Sequence, residues 1–257
     1  MELNLKNKNA LVCGGSKGIG GAIASALAEE GARVTIVARS KPELEAHLET
    51  LAGDGHQTLV ADLANLSDVE LVCEYVKSNQ ISIVINNTGG PAPGPIVDAS
   101  IEEFEKALSM HLKASHKIMQ AAAPFMKNQS YGRFINVIST SVKIPIKGLG
   151  VSNTTRGAMA SWSKTLSNEL APFGITVNNI LPGAINTTRL DAIISNAAKK
   201  QGITEEESTN AMRSTIPAGR IGEPAEMGAL AAFLASEKAA YINGVSIPVD
   251  GGRTGSL

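Results

Sequence analysis

The chain has 257 residues, 43% of them hydrophobic and 18% charged, with 23 basic side chains against 24 acidic ones. Such a composition can bury a sizeable core, and the near-cancelling charge leaves no global field to recruit nucleic acid or an anionic membrane. The stretch 1–9 is polar, without a signal-peptide segment, and no run nears the roughly 18 apolar residues of a membrane span.

Residues 10–13 read as the first strand, 19–30 as a helix stopped by Gly31, and 33–38 as the second strand. Cys13, in that first strand, and Cys73 are the only cysteines. They lack metal-ligand spacing, so no metal is expected; both lie in apolar runs and read as buried, reduced and structural, which fits a cytoplasmic setting. Pro42 sits in the first turn of a helix running to about residue 52. A strand at 57–61, a helix at 68–79 and a strand at 81–85 follow. A long helix is expected over 101–126, with Pro124 straining its last turns. Then come a strand at 133–138, a helix at 152–170 stopped by Pro172 and Gly174, a strand at 175–180, a helix from about Pro224 and a last strand at 245–249. Short β-branched runs alternating with amphipathic stretches mark βαβ units. The expected fold is one doubly wound α/β domain over 1–257, with a seven-stranded parallel sheet and helices on both faces. Residues 187–217, polar and Ala-rich, are the least regular part. Beside the carboxyl ends of the strands such an insertion is expected to act as a substrate lid. A merely solvated helical excursion is the alternative.

Gly14-x-x-x-Gly18-x-Gly20 follows a strand and opens a helix. Glycines allow a tight turn and close approach to a pyrophosphate, whose charge meets free N–H groups at the helix N-terminus. Gly14, Ser16, Lys17, Gly18, Ile19 and Gly20 therefore form a candidate phosphate cradle, against the blander reading that turns alone need glycine. An NAD site would place Asp or Glu at the end of the second strand. Here Ala38 stands there, with Arg39 next and Lys17 in the glycine loop. Two cations converging on a ribose, with no carboxylate expected nearby, favour a 2′-phosphate and hence NADP(H) over NAD(H).

This glycine spacing is followed in order by Asp62-Leu63, Asn86-Asn87-Thr88-Gly89, Pro182-Gly183-Ala184-Ile185-Asn186-Thr187, Arg220-Ile221-Gly222-Glu223-Pro224 and Asp250-Gly251-Gly252. Together they resemble the short-chain dehydrogenase/reductase family over essentially the whole chain, and within it the 3-oxoacyl-carrier-protein-reductase type. The resemblance implies a Rossmann-type fold, a small-molecule substrate, and assembly as a homotetramer or homodimer through the long helices and the C-terminal strand region. It implies adenine contacts at Asp62 and Leu63, further cofactor contacts at Asn87, Gly89, Pro182, Gly183 and Ile185, and a Thr187 hydroxyl on the nicotinamide carboxamide.

Members of that family use a Ser after the fifth strand, a Tyr-x-x-x-Lys on the next helix, and an Asn on the preceding long helix. There Tyr moves the substrate proton, Lys lowers its pKa and holds the ribose, and Ser orients the carbonyl. This chain keeps Ser139. Where Tyr and Lys would stand it has Ser152 and Arg156, one helical turn apart on one face, and His111 lies near the Asn position. A serine hydroxyl titrates far above a phenol's pKa of about 10, so Ser152 is a poor general acid. Arg156 can bind a ribose and supply charge but cannot readily lose a proton. Losing a general acid typically costs about 10²–10⁴-fold in rate. Substitute donors are His111, by its imidazole pKa, and Lys143, four residues past Ser139 in a loop expected to border the cleft. The segments 87–91, 139–143 and 152–156 resemble a divergent subgroup that shares these variants. The expectation is an atypical NADP(H)-dependent oxidoreductase acting on a carbonyl or hydroxyl of a small metabolite or acyl substrate. Ser139 and Ser152 would bind the oxygen, and Arg156 would anchor the ribose. Alternatives are a catalytically silent NADP(H)-binding regulator or sensor, and a non-redox enzyme on the same scaffold.

Overall fold

Seven strands carry the apolar runs: β1 (Asn9–Cys13), β2 (Arg33–Ala38), β3 (Gln57–Val60), β4 (Ile83–Asn86), β5 (Gly132–Val137), β6 (Ile175–Pro182) and β7 (Ser246–Val249). In the computed structural model, which describes residues 2–256, they form one parallel sheet in the order β3-β2-β1-β4-β5-β6-β7. The connections are the helices α1 (Gly18–Glu29), α2 (Lys41–Leu48), α3 (Leu66–Ser78), α4 (Ile101–Leu108), α5 (Ala114–Gln129), α6 (Gly150–Leu170), α7 (Thr188–Gln201), α8 (Glu205–Ser214) and α9 (Pro224–Ala235).

Both sheet faces are covered, as parallel strands require. Ile23 and Leu27 of α1, Leu44 of α2 and Met227 and Ala231 of α9 build one core layer. Val69 and Val72 of α3, Ile118 and Met126 of α5, and Leu166 and Leu170 of α6 build the other. Each such Val, Leu, Ile or Met side chain, fully buried, contributes roughly 1.5–3 kcal/mol, and Ala231 less. The chain leaves β1 toward β2 on one side and later returns to place β4 on the other. Reversal of strand order at β1/β4 opens a crevice at the carboxyl ends, where doubly wound folds bind ligands.

A buried polar ladder fixes the register beside that crevice. Asn86, Asn136, Asn179 and Ser246 are partners across β4, β5, β6 and β7. Asn86 Nδ2 donates to Asn136 Oδ1 (2.7 Å), Asn136 Nδ2 to Asn179 Oδ1 (3.1 Å), and Asn179 Nδ2 to Ser246 Oγ (3.1 Å). A one-residue slip would strand the three buried asparagines and flip every side chain to the wrong face.

Three expectations change. The helix predicted over 101–126 is interrupted by a π-helical turn, Ser109–Lys113, and α5 then runs on through Pro124 to Gln129. The extra residue in that turn puts His111 in the interior, 2% exposed. Residues 187–217 are not irregular but hold α7 and α8, started by Thr187, which accepts from Leu190 N, and by a Thr204–Glu207 capping box. Leu190, Ile194 and Ile216 join Ala184 in a small separate core. Cys13 is buried as expected, but Cys73 on α3 is only half-buried. Burial pushes both thiols up, Cys13 to about 12, so neither is a ready thiolate. Among the described residues no helix is long and apolar enough to cross a membrane, and no metal-ligating cluster occurs.

Candidate active site

The glycine turn leaves β1 at Gly14, whose φ of +62° is left-handed; a Cβ there would lie 2.5 Å from the Asn87 carbonyl oxygen. At Gly20 a Cβ would come within 2.1 Å of the Gly14 oxygen. Asn87 Nδ2 donates to the carbonyls of Cys13 and Gly14, both at 3.3 Å, so it props the turn from β4. The N-cap of α1 is Lys17, with no side-chain cap and no acidic residue in the first turn. Its N–H groups are thus offered outward to an anion. Thr187, at the start of α7, lies against Gly18, where a Cβ would meet its methyl at 3.4 Å. Cradle, helix terminus and Thr187 thus converge, and the site fits the pyrophosphate of a dinucleotide. Leu63 is buried, while Asp62 binds the backbone N–H of Ala64 (3.0 Å).

The expectation that no carboxylate lies near Lys17 and Arg39 is overturned. Pro42 opens α2 and places Glu43 in its first turn, facing the glycine loop. Glu43 accepts from Lys17 Nζ at 2.7 Å and from Ser16 Oγ at 3.3 Å, and Lys17 holds its carboxyl below the usual range. Arg39 stands 4.0 Å from Asp62 with its side chain 79% exposed. Exposed pairs of this kind are weak and yield to a doubly charged phosphate. Replacing Glu43 with Gln should therefore tighten NADPH about two- to five-fold and leave NADH unchanged. An unchanged NADPH dissociation constant in a fluorescence titration would show that Lys17 does not face the 2′-phosphate.

At the other end of the crevice, Ser139, two residues past β5, accepts the Ser141 N–H at 3.0 Å. Its own O–H is left to donate. The loop after it is clamped to α6 by Asn153, which donates to Ile146 O (2.9 Å) and accepts from Ile146 N (3.3 Å). Gly94 pairs with Gly148 and Gly150 through backbone bonds of 2.8 and 3.2 Å, making the 90–95 segment a wall. On α6, Ser152 and Arg156 share the buried face, with Ser152 8% and Arg156 7% exposed.

Arg156 does not reach outward as a flexible anchor. Its Nη1 donates to Val137 O at 3.1 Å and its Nη2 to Thr88 O at 3.4 Å, tying together the ends of β5 and β4. Burial, with repulsion from Arg189, pushes its pKa down to about 10. The side chain of Thr88 bonds His111 Nδ1, so one residue collects both groups. Arg189, in the first turn of α7, donates to Gly90 O at 3.2 Å. Sequence reasoning passed over Thr88, Glu43 and Arg189. For Arg189 the available signal was Thr187 as an N-cap before the i, i+4, i+8 apolar series Leu190, Ile194 and Ala198.

The two candidate proton donors sit in opposite surroundings. Desolvation first, then the charges of Arg156 and Arg189, depress His111 to about 3, so its ring is neutral at pH 7. In that form it offers one N–H and one lone pair, not an acidic proton. Lys143 is exposed just past the turn, and among the described residues no hydrogen bond joins its amine to Ser139, Ser152 or Arg156. The depressed imidazole has a consequence for stability. Below pH 6.5 the unfolded chain takes up a proton that the native His111 refuses until about pH 3, so stability falls with pH across that window. The slope is at most about 1.4 kcal/mol per pH unit. Thermal melts from pH 8 to 4 should show wild type losing more stability than His111→Gln; parallel curves would mean that His111 titrates normally.

A comparison with known proteins agrees with this geometry. The family described as enoyl-(acyl carrier protein) reductase matches residues 14–254. The NADPH-dependent reductase BacG of Bacillus subtilis is 32% identical, covering 98% of this chain and 100% of its own. The 3-oxoacyl-[acyl-carrier-protein] reductase FabG of Vibrio cholerae is 31% identical, covering 97% of this chain and 98% of its own. A crystal structure of L-sorbose reductase from Gluconobacter frateurii, complexed with NADPH and L-sorbose, superposes with a TM-score of 0.93 at 28% identity over all of both chains. The chain belongs to the short-chain dehydrogenase/reductase family, a family of oxidoreductases on a Rossmann-type fold.

Proposed function

We propose that this chain is an NADP(H)-dependent oxidoreductase that interconverts a carbonyl and a hydroxyl on a small metabolite or acyl substrate, with an active site that works without a phenol. The observation that carries the reading is Arg156: a buried guanidinium bonded to carbonyls just at the carboxyl ends of β4 and β5, one helical turn from Ser152, with no ion-pair partner among the described residues. Bound NADP(H) would supply the hydride donor or acceptor. The chain's own residues do the rest. Ser139, already polarised by the Ser141 N–H, donates to the substrate oxygen, and Ser152 offers a second hydroxyl. Arg156 holds positive charge where the oxygen becomes anionic, an electrostatic role in place of proton transfer. His111, neutral, fixes Thr88, and through it one of the two carbonyls that aim Arg156. The proton would then come from solvent. Lys17 and Arg39 would take the 2′-phosphate. The α7–α8 segment would close over the substrate, and a dimer or tetramer would form through α5, α6 and the β7 edge, where Tyr241 is fully exposed. A cytoplasmic setting belongs to the same reading.

The test is a screen of carbonyl compounds with NADPH, followed at the nicotinamide absorbance, with Ser139→Ala as the control. At least one compound should be reduced by wild type about 10²-fold faster than by the variant, the cost of removing one oxyanion donor. Tight NADPH binding with no turnover on any compound would instead favour the silent regulator. That second reading draws support from the lack of any titratable donor in the site at neutral pH, since His111 is held near 3.

A further inference from the structure

Two arginines meet at the substrate end of the crevice with nothing to balance them. Arg156 and Arg189 donate to the carbonyls of Thr88 and Gly90 respectively. These residues are two apart in sequence, so their Cα atoms are at most about 7 Å from each other. Among the described residues neither guanidinium forms an ion pair. The charge of Arg189 reaches across the site and lowers the pKa of both Arg156 and His111.

Arg133 shows what a purely structural buried arginine looks like in the same fold. Its donors are used on the carbonyls of Gly132, Gly174 and Ser236, and its plane lies 4.3 Å from the Tyr131 ring centroid. No second guanidinium faces it. Arg156 engages only two of its five donors and has a cation for a neighbour.

The surroundings also point to a ligand. The two buried side-chain polar atoms without a partner among the described residues are His111 Nε2 and Ser141 Oγ. Both belong to segments bordering this crevice, the π-helical turn and the turn after Ser139. The wall itself is shaped for the guanidinium. A Cβ on Gly90 would come within 2.6 Å of Arg189 Nη2, whereas one on Gly89 would meet nothing within 4 Å.

We infer that the substrate is an acid: a carbonyl or hydroxyl compound whose carboxylate is clamped by Arg189 and the free edge of Arg156, with its reacting oxygen toward Ser139 and Ser152. The inference rests on the oxidoreductase reading above. An ester or amide of the same skeleton leaves both cations unbalanced, and the guanidinium fork matches a carboxylate's two oxygens. The pyrophosphate of a bound dinucleotide would be another anion in the crevice, so the test must tell the two apart.

NADPH-loaded protein is titrated by calorimetry with pyruvate, acetoacetate and levulinate and with their methyl esters. The inference expects at least one acid to bind ten-fold or more tightly than its ester. Arg189→Gln should erase that difference while NADPH affinity, measured separately, stays within two-fold. Acids and esters that bind alike, or acids that do not bind, overturn it. So does an Arg189→Gln variant that loses NADPH affinity ten-fold and shows no change in acid binding, since Arg189 then serves the pyrophosphate. Failure of wild type to bind NADPH at all would defeat the oxidoreductase reading instead, and the same acid–ester comparison on the free protein would still decide the carboxylate site.

Discussion

Arg156→Met should lower kcat/KM by about 10²–10³-fold, the usual effect of removing a preorganised group that faces developing negative charge. Stability should change far less, because two effects oppose. The substitution leaves the carbonyls of Val137 and Thr88 without a donor, at roughly 1–3 kcal/mol each. It also removes a buried cation that has no counter-ion among the described residues, whose desolvation penalty is of order several kcal/mol. Chemical denaturation should therefore shift by no more than about 2 kcal/mol in either direction. The two measurements together are decisive. If the unfolding midpoint collapses along with activity, Arg156 is a brace between β4 and β5 and its charge has no part in turnover.

Ser152→Tyr combined with Arg156→Lys should create, on a generic ketone, a reductase about 10²–10⁴-fold faster than wild type, the range a positioned general acid contributes. The two positions lie one turn apart on the buried face of α6, so a phenol and an ammonium placed there would be neighbours. A nearby ammonium lowers a phenol's pKa, which moves the proton donor toward the working pH. Neither single change suffices. With Ser152→Tyr alone, the new phenol would share its site with a guanidinium already committed to two carbonyls. With Arg156→Lys alone, the new ammonium would have no phenol to act on. Overpacking is the opposing cost, about 1–3 kcal/mol, because Ser152 is only 8% exposed. A folded double variant that binds NADPH yet gains no ketone reduction over wild type would show that the crevice no longer holds a carbonyl in the family's geometry.

Much of the fold was legible because it rests on periodicity and on glycine. The strands fell where β-branched runs stood, and the turn at Gly14 could be read from a pattern that only glycine satisfies. Helix 101–126 was less legible, since a π turn leaves no mark in a 3.6-residue repeat. Its signal was a histidine standing in a stripe that is otherwise apolar. Residues 187–217 misled through their composition: Thr187 and Thr204 are good caps, but the helices they start bury few side chains. The site was legible residue by residue and not as an arrangement. Ser139, Ser152, Arg156 and His111 were all named from the positions that the family resemblance implies. The pKa shifts of Arg156 and His111 came from burial and neighbours, and both were invisible until β4, α6 and α7 met.

From its residues alone, this chain already determined a doubly wound parallel sheet and a glycine turn, and the family resemblance marked Ser152 as standing where a phenol is expected. These are local matters of which side chain follows which. The tertiary structure decided that Glu43 accepts from Lys17, that burial and nearby arginines lower the His111 pKa, and that Arg156 and Arg189, without an ion pair among the described residues, bond the carbonyls of Thr88 and Gly90. Electrostatics acts through space and depends on desolvation, so residues as far apart in sequence as 88, 111, 156 and 189 become one site only once the chain has folded.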